Sequence, residues 1–106
     1  MPRVVEYIDP HGRSPHARWF DSLNHPAAVK VAAALHQLLH GNFANVKAVG
    51  SGVFERKISF GPGYRIYFGQ DGDSLLVLLG GSTKQRQSDA IAAAVSCWTE
   101  YRRLKP

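Results

Sequence analysis

The spacing of apolar residues changes midway along this chain. It follows a helical period of 3.6 from Ala28 to Leu39 and a strand period of 2 from residue 52 to Leu79, and this change restricts the fold more than any other feature. Ala28, Val31, Ala32, Leu35, Leu38 and Leu39 recur at helical spacing. Asn24 is placed to cap that helix, Pro26 falls in its first turn, and Gly41-Asn42 ends it. Ser14-Pro15 reads as a cap followed by proline at the first helical position, which predicts a shorter helix through Trp19 and Phe20 stopping near Asn24. Two helices meeting at Asn24 form an αα-hairpin able to lay its apolar stripes on a sheet.

Beyond residue 52, the segments Val53 to Phe60, Tyr64 to Gln70 and Ser74 to Leu79 read as strands. The turn signals Gly61-Pro62-Gly63 and Asp71-Gly72 separate them, so the three form an antiparallel meander. The third is the most apolar and is expected to be central or covered on both faces. Arg3 to Ile8 adds a first, β-rich strand. Gly80-Gly81 breaks the last strand, and Ser82 with Gln85 matches a capping box. A final helix then runs to about Arg103, with Ile91, Ala94, Val95, Trp98 and Tyr101 on one face. The expected order is β-α-α-β-β-β-α: one α+β domain over residues 1–106, with a mainly antiparallel four-stranded sheet packed by helices.

Composition excludes several classes. With 44% hydrophobic and 20% charged residues, the chain is neither a disordered tail nor a collagenous repeat. Cys97 is the only cysteine, which excludes an intrachain disulfide and suits a reducing compartment. No apolar leader follows Met1-Pro2-Arg3. The longest aliphatic run, Leu75 to Leu79, falls far short of the roughly 20 residues a spanning helix needs. A cytoplasmic location with no membrane partner is therefore expected. The net charge is +5, from 13 basic and 8 acidic residues, and +4 of it lies in residues 41–106. That imbalance points to a polyanionic partner, nucleic acid or an acidic protein, or else serves solubility alone.

Side chains alternate across a strand, which sorts the meander into two faces. Phe54, Ile58, Phe60, Tyr64, Ile66 and Phe68 form the apolar face expected to meet the helices. Glu55, Lys57, Arg65 and Tyr67 fall on the opposite, open face: either a basic patch holding a phenol, or a solvated surface of cross-strand pairs such as Glu55 with Arg65. Arg56 breaks the pattern by falling on the apolar side, where it is expected to sit at the sheet margin and snorkel outward. His36 and His40 have metal-compatible spacing but no accompanying carboxylate or cysteine, so no metal site is expected. Gly61-Pro62-Gly63 lacks the Lys-Ser/Thr of a phosphate loop and reads as a turn, and Cys97 has no activating neighbour.

Further motifs carry a family resemblance. Gly41-Asn42-Phe43, Val46-Lys47, Val49-Gly50-Ser51-Gly52-Val53, the run Phe60-Gly61-Pro62-Gly63-Tyr64-Arg65-Ile66-Tyr67-Phe68, Leu78-Leu79-Gly80-Gly81 and Lys84 together resemble the RelE/ParE toxin superfamily. The resemblance is closest to its HigB-like "addiction module killer protein" branch. It spans roughly residues 41–101. It implies a RelE-like fold and the toxin half of a type II toxin–antitoxin pair: a ribosome-dependent mRNA endonuclease, silenced by a cognate helix-turn-helix antitoxin. It also implies metal-free, cofactor-free chemistry, in which a ribose 2′-hydroxyl attacks the adjacent phosphate.

By the same resemblance, Lys57 and Arg65 fall at catalytic basic positions. Arg65 would grip phosphate through its fork of donors, and Lys57 would favour the 2′-alkoxide or act as base. Lys84 adds charge at the start of the last helix, and Tyr67 substitutes by position for an acid–base tyrosine. Lys47, Arg56 and Arg86 extend the basic surface toward RNA. The chain departs from the family pattern at Glu55, where a lysine is expected, at Thr83, at Gln85 and at Ile91. Two further readings therefore stay open: a ParE-like inhibitor of DNA gyrase, and a toxin without catalysis that acts only by forming a protein complex.

Overall fold

The computed structural model describes residues 2–105. Strand β1 (Arg3–Glu6) leads to helices α1 (Pro15–Asp21) and α2 (His25–Leu39). Strands β2 (Val46–Gly50), β3 (Val53–Ile58), β4 (Tyr64–Asp71) and β5 (Leu75–Thr83) follow. A short 3-10 turn (Lys84–Arg86) then enters α3 (Gln87–Leu104). The helix caps act as the sequence predicts. Ser14 Oγ accepts the Ala17 N–H at 3.0 Å, and Asn24 Oδ1 accepts the Ala27 N–H at 3.0 Å.

The class is α+β, but the sheet has five strands in the order β1-β5-β4-β3-β2 rather than four, and it is mixed. β1 runs parallel to β5, while the other neighbouring pairs are antiparallel. The additional strand is β2. Its Val-Lys-Ala-Val-Gly sequence lacks clean alternation, because an edge strand with a register shift between Ala48 and Gly50 buries little on either face. The hairpin into β3 is closed by Ser51 and Gly52, both at positive φ (55° and 84°), the geometry that matches a two-residue turn to strand twist.

The sheet is covered on both faces. α2, through Ala27, Val31, Ala34 and Leu38, packs on Ile58, Tyr64, Ile66, Phe68, Leu76 and Leu78, with Trp19 and Phe20 of α1 alongside. Ala94 and Trp98 of α3 pack on the opposite face against Val53, Tyr67, Val77 and Leu79. Both faces of β5 are thus buried, as its unbroken apolar run predicts. The expected capping box at Ser82 does not form. Ser82 still belongs to β5, its Oγ donates to the Thr83 carbonyl at 2.9 Å, and α3 begins only at Gln87.

One buried histidine makes stability depend on pH. His16 is 3% exposed, lies against Trp19 and Phe20, and its Nδ1 has no partner. Burial holds its pKa below the ordinary 6.5, opposed by a bond to the Gly80 backbone and by the charge of Glu6. Below pH 6.5 the unfolded chain takes up a proton that the folded chain resists. Stability is therefore complete above that pH and falls as pH drops through the folded value. Thermal melts between pH 7.5 and 5 should show Tm decreasing, and His16→Gln should flatten that decrease. An unchanged slope in the variant would assign the acid loss to other groups.

Candidate active site

Strand register brings the basic residues together. Lys57 faces Arg65 across β3 and β4, Glu55 faces both Lys47 in β2 and Tyr67 in β4, and Arg65 faces Ser82 in β5. Alternation therefore puts Lys47, Glu55, Lys57, Arg65, Tyr67 and Ser82 on one face of the sheet.

That face is not open, contrary to the expectation from alternation alone. The apolar stripe of α3 needs a surface to bury, and α2 already occupies the other side. As α3 lies down on the sheet, its first residue, Gln87, closes over Glu55, its Nε2 donating to Glu55 Oε2 at 2.7 Å. Glu55 is left 1% exposed, Arg65 5% and Tyr67 fully buried, while Lys47, Lys57 and Lys84 stay at the surface.

The site is therefore a buried core under a cationic rim. Glu55 Oε1 lies 3.8 Å from Arg65 Nε and 3.9 Å from Lys47 Nζ, separations that give charge attraction without a hydrogen bond. Arg65 Nε and Nη1 are sealed from solvent without any acceptor, which leaves Nη2 as the route of the guanidinium to the surface. An unpaired buried N–H costs roughly 1–3 kcal/mol, so this arginine is held in place at the expense of stability. Gly63, at φ +81°, makes room for it. A Cβ there would stand 3.1 Å from Arg65 Nη1 and 3.5 Å from Lys84 Cβ, and the Gly63 carbonyl accepts the Lys84 N–H at 3.0 Å. Arg65 and Lys84 thus flank the same backbone point.

Tyr67 forms part of the floor of the site. Because Ser82 Oγ donates to the Thr83 carbonyl, the Tyr67 hydroxyl donates to Ser82 Oγ, 3.1 Å away. Burial, and then the charge of Glu55, push its pKa up against the bond to Ser82 and the charge of Arg65, so the phenol stays neutral. A fully buried phenol cannot reach a substrate from this position, which corrects its placement on an open surface.

Arg56 also departs from expectation. It is buried on the α2 side, where its guanidinium donates to Gln37 Oε1 and to the Lys57 carbonyl. Burial lowers its pKa. Its role is structural: it ties β3 to α2 and does not contribute to the basic rim. Arg86 is exposed but lines a separate groove beside Trp19 and Asp89. Gln87 is the residue that sequence reasoning missed, because a glutamine at a helix start carries no signal that distinguishes it from a solvated one.

The rings of His36 and His40 are tilted at 43° to each other with centroids 4.1 Å apart, and His40 Nδ1 lies 2.8 Å from the His36 carbonyl. Among the described residues, no group of three or more His, Cys, Asp or Glu side chains is placed to hold a metal ion, and no helix is long and apolar enough to cross a membrane. Cys97 is half-buried, and burial pushes its thiol pKa up.

No family model matches the sequence. The chain is 38% identical over 77 residues to a Haemophilus influenzae (strain ATCC 51907 / DSM 11121 / KW20 / Rd) protein described as "Uncharacterized protein", a match covering 72% of this chain and 78% of the relative. By that identity and coverage, the chain belongs to the family of this Haemophilus influenzae protein.

Proposed function

We propose that the protein is a RelE-like toxin that cleaves messenger RNA on the ribosome and is held silent by a cognate helix-turn-helix antitoxin in the cytoplasm. The observation that carries this reading is Arg65: a buried guanidinium with two unsatisfied N–H groups, beneath a rim of surface lysines. Fixed, desolvated positive charge suits a group on which negative charge grows, as on a phosphate during transesterification.

In that reaction the 2′-hydroxyl loses its proton and its oxygen bonds to phosphorus. The bond from phosphorus to the 5′-oxygen then breaks, and a proton is delivered to the leaving oxygen. The products are a 2′,3′-cyclic phosphate and a 5′-hydroxyl. Arg65 holds the phosphate. Lys57, its cross-strand neighbour, favours the 2′-alkoxide, and Lys84, whose Cβ approaches the same point above Gly63 as Arg65 Nη1, brings a further positive charge. Glu55 is sealed beneath Gln87, so it positions Arg65 and Lys47 and does not touch RNA.

Inducible expression with mapping of mRNA 5′ ends tests the reading. Cuts inside translated frames that vanish when translation is blocked support it. Intact mRNA with trapped gyrase or relaxed plasmids would replace it with gyrase inhibition. Lys57→Ala should reduce cleavage about 10²-fold, the usual range for removing a group that stabilises developing charge, with Tm unchanged because the side chain is exposed. Undiminished cleavage by this variant would remove Lys57 from the site.

A further inference from the structure

A groove of about 540 Å³ opens where β5 ends, between the α1–α2 junction and the start of α3. None of the roles assigned above uses it. We propose that this groove is a nucleobase subsite selective for guanine. The inference rests on the RNA-cleaving reading, which places a phosphate on Arg65.

Position is the first argument. Ser82 and Thr83 form one wall of the groove, and across the strands they face Arg65 and Tyr64. Neighbouring strands stand about 4.8 Å apart, so the groove begins about one strand spacing from the residue assigned to phosphate. A nucleotide with its phosphate on Arg65 can turn its base over β5 and into the groove. The volume also lies within the range of roughly 300–1,000 Å³ usual for small-molecule sites.

The walls supply the second argument. Trp19 and Tyr64 present aromatic surface to the groove. The indole lies directly on Gly81, where an added Cβ would stand 2.2 Å from the Trp19 ring. Gly81 thus makes room for the indole to lie against the strand, and stacking on aromatic walls is the common way proteins hold an unpaired base.

The polar groups choose the base. Asp89 is exposed on the first turn of α3 and has no ion-pair partner among the described residues. Two carboxylate oxygens match two adjacent donors, and among the four RNA bases only guanine offers such a pair on its Watson–Crick edge, N1–H beside N2–H. Asn24 and Arg86 both line the groove: Asn24 spends its Oδ1 on the Ala27 N–H, so only its amide N–H groups are left to serve a ligand, and Arg86 carries donors suited to the O6 and N7 of guanine. An acidic or a basic peptide would leave one of these signs unanswered, whereas guanine satisfies both.

The test titrates the full-length protein with guanosine, which lacks phosphate, and with the four ribonucleoside 5′-monophosphates, by calorimetry and tryptophan fluorescence. Guanosine should bind and quench fluorescence, and Trp19→Phe should abolish the quench. Guanosine monophosphate should bind about tenfold or more tighter than adenosine monophosphate, and Asp89→Asn should erase that preference, in line with the discrimination a bidentate pair supplies. No binding of guanosine, equal affinity for the four nucleotides, or an unchanged preference in Asp89→Asn would overturn the proposal. Guanosine binding by a protein that cleaves no RNA would sink the cleavage reading and leave the groove. RNA cleavage by a protein that ignores guanosine would do the reverse.

Discussion

Replacing Arg65 with methionine is expected to abolish RNA cleavage, by about 10³-fold, as removal of a donor aimed at developing charge does elsewhere. Its effect on stability should depend on Glu55. Arg65→Met alone leaves the Glu55 carboxylate buried at 1% exposure with one fewer positive charge beside it, and breaking a buried charge pair from one side costs roughly 3–5 kcal/mol. The double change Arg65→Met with Glu55→Gln removes both charges, retires two unsatisfied N–H groups, and keeps an amide near Gln87. Its stability should match or exceed that of the native chain while cleavage stays lost. Urea titrations of the three proteins check this. If the double variant is as unstable as the single one, Arg65 is a structural anchor rather than a group kept for chemistry. Arg65→Lys should not restore cleavage, because a single ammonium cannot both face Glu55, as Arg65 Nε does, and carry charge outward as Nη2 does.

Much of the architecture was legible in the chain because it depends on local signals. Ser14 and Asn24 announce two helix starts, the αα-hairpin follows from apolar periodicity, and the unbroken apolar run of β5 requires cover on both sides. β2 was not legible, since its pattern becomes a strand only when β3 lies beside it to pair Val46 with Arg56. The site was legible in register but not in depth. Alternation correctly grouped Glu55, Lys57, Arg65 and Tyr67, but whether that face meets water depends on where α3 docks. Arg56 failed for a similar reason. Its neighbour on α2, Gln37, lies 19 positions earlier and offers an acceptor that no local pattern reveals.

The docking of α3 sets the second large effect. Gly69 is expected to tolerate no side chain: Gly69→Ala should destabilise the protein by about 3 kcal/mol, the upper range for overpacking, and lower Tm by about 12 °C or more. A Cβ at that point would stand 2.4 Å from the ring of Trp98, and Gly69 lies within β4, where the backbone is held on both sides. Trp98 cannot retreat, being 5% exposed and stacked on Tyr101 with ring centroids 5.3 Å apart. Relief must therefore come from α3 lifting off the sheet. That motion would carry Gln87 away from Glu55 at the far end of the helix, loosening the carboxylate that holds Arg65 and Lys47. Cleavage should accordingly fall in Gly69→Ala although no substrate contact is altered. A double-mutant cycle with Trp98→Leu isolates the cause. If the clash is responsible, the smaller side chain absorbs the new methyl and the two costs add to much less than their sum. Full additivity would mean that alanine at Gly69 disturbs the strand backbone itself, and that the tryptophan slot does not set the position of α3.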